Sequence, residues 1–281
     1  MLKNVITILL ITCFSNSLIA QYAEHIEPDF IKTIQFAGDT KQSQLPIISL
    51  SEALFLSFDD LNGNEADYYY QITHHDFNWA LSDLTKGEYM SGFDDVRIYN
   101  YENSFNTFQS YSHYTLKIPN RDTRKLKKSG NYMISIFDDN GEIVFSKKFM
   151  IVENIVSVPT YIKRARDLKS IETKQVVQFT IDSPNLLITN PDETIKTLIL
   201  QNSNLNNSIT NLKPQYTIGS QLIYRYDKEA SFYGGNEFLY FDNKDIRAGT
   251  STIRRIDLTD IYNHFLYTNG ARFNRPYTYN P

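Results

Sequence analysis

Short runs of alternating apolar and polar residues recur along this chain, each stopped by turn-forming residues. Past the first twenty positions, no amphipathic helical run exceeds about 12 residues. A period of two puts alternate side chains on opposite faces of a strand, so the pattern calls for sheets with one buried face. It disfavours a doubly wound α/β fold, which needs a helix between successive strands.

The strand signals are local and specific. Leu54, Leu56 and Phe58 alternate with Phe55 and Ser57, Asp59 to Asn64 is turn chemistry, and Tyr68 to Thr73 resumes with aromatic and β-branched residues, which reads as a hairpin. A second hairpin pairs Tyr132, Ile134 and Ile136 with Ile143 to Phe145 through Asp138-Asp139-Asn140-Gly141, where Asn-Gly supplies positive φ angles. Tyr111 to Ile118 is another strand, and Phe149 to Val152 a closing one. Further strands follow at 176–181, 197–200, 221–226, 238–242 and 251–256, with the Asn- and Ser-rich tract from Gln201 to Asn211 as a loop between them.

Glu153 to Pro159 marks a boundary, giving an N-terminal domain over about 26–153 and a second over 160–281. The fold class expected is all-β, two consecutive β-sandwich domains of immunoglobulin or fibronectin type. The aromatic-rich ending, Arg275 to Pro281, suggests a second sandwich that is incomplete.

Residues 1–20 break the pattern. Lys3, the apolar run Val5 to Thr12 and the small residues before Ala20 fit a secretory signal cleaved after Ala20; the run is too short to span a bilayer. Removing it removes Cys13, the only cysteine, so the mature chain has neither thiolate chemistry nor disulfides. With a net charge of -4 before cleavage, nucleic acid is an unfavourable partner.

Chemistry-bearing clusters are few. His74-His75-Asp76 could form a base or metal site with His113, but adjacent strand residues face opposite ways, so one core-facing and one exposed histidine is expected. Asp138 to Glu142 lacks calcium-loop spacing. The basic run Arg121, Arg124, Lys125, Lys127 and Lys128 reads as a solvated loop. No G-x-S-x-G, H-E-x-x-H or P-loop occurs. No catalytic residue, cofactor, metal or small-molecule substrate is expected.

Several motifs occur in one order: Leu54 to Leu61, Tyr70 to Asp76, Trp79, Glu88-Tyr89 with Gly92-Phe93, Tyr101 to Thr107, Tyr111 to Tyr114 with Ile118-Pro119-Asn120, Ser129 to Tyr132, and Gly235 to Phe238 with Phe241-Asp242. In these the chain resembles the type IX secretion system plug protein family of Bacteroidota, over roughly residues 30–260. It departs at His75, where the family often has Cys, and in ending at Pro281, where members usually continue. The resemblance implies a periplasmic, non-enzymatic β-sandwich protein whose partner is the outer-membrane translocon β-barrel, sealed at its periplasmic opening. The docking segment expected is 79–106, with Trp79, Tyr89, Phe93 and Tyr101 as partner-binding residues, because long loops on a rigid scaffold commonly carry binding. Two other classes stay open: a carbohydrate-binding module, needing an exposed aromatic strip on one sheet face, and a metal-dependent hydrolase, needing His74, His113 and a carboxylate to converge.

Overall fold

A computed structural model describes residues 23–39, 45–234 and 241–268. The expected signal segment, the 238–240 part of the expected strand and the 275–281 ending lie outside the described residues. Those residues form two units: one runs to Ile155 and includes Leu200–Thr210, the other begins at Val156 and holds the rest.

Up to Ile155 the first unit is a nine-stranded, two-sheet sandwich with a two-stranded ribbon beside it, built from β1 (Ile31–Ala37), β2 (Ile47–Ser49), β3 (Leu54–Asp60), β4 (Tyr69–His75), β5 (Met90–Gly92), β6 (Val96–Arg97), β7 (Tyr101–Asn103), β8 (Ser112–Ile118), β9 (Thr123–Leu126), β10 (Gly130–Phe137) and β11 (Ile143–Val152). One sheet has the order β1-β3-β8-β7, the other β2-β11-β10-β4-β6, and β5 pairs with β9 beside them. Pairing is antiparallel except between β2 and β11. Every second residue of β3 and β8 is buried, as the alternation requires. These meet the inward residues of β4, β10 and β11 in one core. Rings lock the two sheets together: Phe58 of β3 stands edge-on to Phe145 of β11 at 5.1 Å, and Phe36 of β1 meets Phe149 of β11 at 5.7 Å.

Four local expectations are corrected. The strands at 54–60 and 68–73 do not form a hairpin. β3 pairs with β1 and β8, whereas β4 pairs with β10 and β6 in the opposite sheet. The turn after Asp60 crosses between sheets because the fully buried Asp60 carboxylate accepts the Tyr68 hydroxyl and the Asn62 amide, each at 2.9 Å, which bends the chain away from its own strand. In the β10–β11 hairpin only Gly141 has positive φ, at 80°. The Gly141 amide bonds back to Asp138 O at 3.2 Å, and the register slips at Ile136/Phe137, so Gly141 completes a bulged turn. No separate strand starts at Phe149, since β11 runs unbroken for ten residues. The basic run is in part strand β9, paired with β5, and not wholly a loop.

The second unit is built on a sheet of β12 (Thr160–Arg164), β13 (Lys174–Asp182), β17 (Gln221–Tyr224) and β16 (Tyr216–Ile218), with β18 (Ser231–Tyr233) beside the start of β13. Its core is small, centred on Phe179 and Tyr224, stacked at 4.3 Å, with Ile181 and Leu222. β19 (Ile253–Leu258) pairs with β20 (Tyr262–Leu266), and β14 (Leu198–Gln201) with β15 (Asn204–Thr210), a hairpin whose residues from Leu200 on are counted with the first unit. The tract expected as a loop at 201–211 is therefore a hairpin. Asn202 and Ser203 both take positive φ, 53° and 57°, the mirror-image turn that suits strand twist. Among the described residues no helix is long and apolar enough to cross a membrane, which says nothing about strands.

Candidate functional site

The 79–106 segment is stitched to the edge of the β4 sheet at several points. Past β4, the Asp76 carboxylate accepts the amides of Asn78 and Ala80 at 2.8 and 2.9 Å, reversing the chain so that Ser82 N bonds to His74 O. A short helix, α1 (Lys86–Tyr89), starts where Thr85 N donates to Glu88 Oε2 at 2.7 Å. The Asp94 carboxylate, almost fully enclosed, accepts Ile72 N at 2.8 Å and pairs with Lys86 Nζ. Asp95 N and Ile98 N then bond to Tyr70 O and Tyr68 O.

The four residues expected to bind a partner are not brought together on one surface. Trp79 is 4% exposed, with His75 beside its ring and the Lys148 ammonium 4.5 Å above the ring centre. Burial there pushes the Lys148 pKa down. Tyr89 is 5% exposed and donates its hydroxyl to Ile72 O at 3.0 Å. Burial, helped by the Asp94 charge, raises its pKa. Phe93 is 72% exposed, its backbone held by Asp122 O and Thr123 Oγ1. Tyr101 is half-buried on the edge strand β7, its hydroxyl donating to Glu65 Oε2 at 3.0 Å. Trp79 and Tyr89 thus serve the interior, and only Phe93 offers a largely free ring.

Both His74 and His75 are buried, against the expectation of one exposed ring, because residues 76–82 fold back over the second face. His74 Nε2 donates to Ser129 O at 3.2 Å and Nδ1 bonds with Ser82 Oγ at 2.8 Å. His75 Nδ1 donates to Trp79 O at 3.1 Å, and Nε2 meets Thr73 Oγ1 at 2.8 Å. Burial lowers the His75 pKa, favouring the neutral ring that this donor and acceptor pair requires. His113 sits in the other sheet, 2.6 Å from Asp59. Among the described residues no three His, Cys, Asp or Glu side chains could hold a metal.

The second unit carries exposed Tyr161, Tyr216 and Tyr233. Their registers, opposite Gln178, Ile223 and Lys174, put all three on the sheet face away from Phe179. Between them Val176, Gln178 and Ile223 are buried, so the tyrosines ring a covered centre instead of forming an open aromatic strip.

The β7–β8 loop carries two further rings: Phe105, inside the expected 79–106 docking segment though not among its four named residues, and Phe108, just past it. Phe105 is 93% exposed and Phe108 fully exposed. The signal was present as two phenylalanines in the otherwise polar stretch Ser104 to Ser110.

Residues 31–153 match the family model of the type 9 secretion system plug protein 1st domain. A crystal structure of a hypothetical protein from Parabacteroides merdae is similar, with a TM-score of 0.83 at 28% sequence identity, over 93% of this chain and 67% of that one. No curated protein matches the chain.

Proposed function

We propose, from the match of residues 31–153 to the type 9 secretion system plug protein family model, that the protein docks on the periplasmic side of an outer-membrane translocon β-barrel and closes its opening without catalysis. The family match is the observation that carries this reading. The architecture supports it physically: a barrel wide enough to pass folded proteins must be blocked by a body that does not deform. A sandwich whose sheets are tied by interlocking rings is such a body. The histidines expected as candidate chemistry are spent on internal hydrogen bonds or, for His113, on Asp59. The apolar segment after Lys3 supports export to the periplasm.

Conductance tests the reading. Purified translocon barrels in a planar bilayer should pass less current once the protein is added on the periplasmic side. An unchanged current, with the protein folded by circular dichroism, would overturn it.

A further inference from the structure

We infer that Phe105 and Phe108 are a paired anchor, inserted on docking into an apolar cleft of a protein partner whose rim carries lysine or arginine. The rings stand 93% and 100% exposed at the loop tip, where they contribute nothing to the core. The hydrophobic effect disfavours two bare phenyl rings in water, here three residues apart on one short loop, and aromatic side chains dominate the central anchors of protein interfaces.

The loop that displays them is braced. Ser104 N donates to Tyr111 O and Tyr111 N to Ser104 Oγ, at 2.8 and 2.9 Å, closing its base. Gln109 Nε2 reaches Leu61 O in the neighbouring turn at 2.8 Å, and Thr107 Oγ1 bonds to Gln109 O at 2.8 Å. Asn106 takes φ 55°, a conformation asparagine tolerates, between the two rings. Gly63 packs so closely on Ser110 that a Cβ there would approach it to 3.0 Å. A braced loop loses little freedom on binding, which favours affinity.

Charge selects the occupant. The two segments that build this end, 59–67 and 98–112, contain no lysine or arginine; Asp60 is buried and Asp59 and Asp67 are held by His113 and Arg97, so Glu65 and Glu102 set the charge beside the loop. The nearest basic side chain along the chain, Arg97, is paired with Asp67 at 2.5 Å. Glu65 accepts from Tyr101 and Asn103, so its charge is held beside the loop. Anionic bilayer surfaces attract loops with basic flanks and repel this one. A protein cleft with a basic rim is complementary to it.

The inference rests on the reading that the protein docks on the translocon barrel, so the probe is that barrel, solubilised in detergent. A Phe105→Ser/Phe108→Ser double variant should keep the wild-type melting temperature and lose at least about tenfold in affinity. Glu102→Lys, which reverses the rim charge, should also weaken binding, most at low salt. Vesicles of phosphatidylglycerol and phosphatidylethanolamine form the second arm and should bind neither protein. Undiminished binding of the double variant would overturn the anchor and leave the plug reading standing. Phe-dependent vesicle binding would overturn it in favour of a membrane contact. A wild-type protein that does not bind the barrel would sink the plug reading, and the anchor with it.

Discussion

Alkaline pH should unfold the first unit cooperatively, because its core is built around tyrosines whose hydroxyls act as donors. Tyr68 donates to Asp60 Oδ2 at 2.9 Å, Tyr89 to Ile72 O at 3.0 Å, Tyr114 to Ala66 O at 2.7 Å and Tyr132 to Lys128 O at 2.8 Å. A tyrosinate has no proton to donate and would place its charge against an oxygen in a buried site. Burial accordingly raises all four pKa values, with the Asp60 charge adding to it for Tyr68 and Tyr114. The folded pKa lies above the unfolded one, so the stabilisation is complete below the unfolded pKa, about 10, and is lost as pH climbs from there toward the folded pKa. At pH 11 the unfolded chain gains about 1.4 kcal/mol per tyrosine by ionising, hence about 4 kcal/mol for Tyr68, Tyr114 and Tyr132, with Tyr89 adding in the same direction. A domain stable by about 5–15 kcal/mol should therefore unfold at about pH 11–12. On stepwise titration, the part of the tyrosinate absorbance that rises beyond the ordinary step near pH 10 should appear together with the loss of circular dichroism, in one transition. Tyr132→Phe removes one titrating group, and the wild-type dependence of stability on pH should flatten measurably above pH 10. If tyrosinate absorbance saturates in a smooth step near pH 10 while the dichroism stays native, the buried hydroxyls ionise inside the folded state and the reasoning fails.

Three substitutions separate structural from surface roles. Trp79→Ala should cost about 3–5 kcal/mol by leaving a cavity under Lys148, read as a lower denaturant midpoint; a midpoint within error of wild type would return Trp79 to the list of surface residues. Gly92→Ala should cripple folding, since φ is 105° and a Cβ would sit 1.9 Å from Asp122 O, whereas Gly87→Ala, with nothing within 4 Å, should be neutral or slightly stabilising in thermal melts. Equal melting temperatures for the two glycine variants would contradict the close β5–β9 approach.

Local chemistry made parts of this fold legible and left others hidden for identifiable reasons. The β10–β11 hairpin could be read because its turn residues and its alternation act over a dozen neighbouring positions. The β3–β4 pairing could not, since a turn sequence says that the chain reverses but not whether it returns to the same sheet. That choice is made by the buried Asp60 accepting from Tyr68, a contact whose energy depends on enclosure by both sheets. The same limit governs the candidate surface. Trp79 and Tyr89 look like binding aromatics by composition, yet the fold-back of residues 76–82 and the α1 turn bury them. Exposure is set by what covers a ring, and the cover comes from elsewhere in the chain. Phe105 and Phe108 differ because their segment carries its own evidence: polar residues on both sides of each ring leave no alternating partner that could draw them into a sheet interior. Apolar residues that break the local pattern are thus a better guide to exposed rings than aromatic richness, which in this chain mostly measures the core.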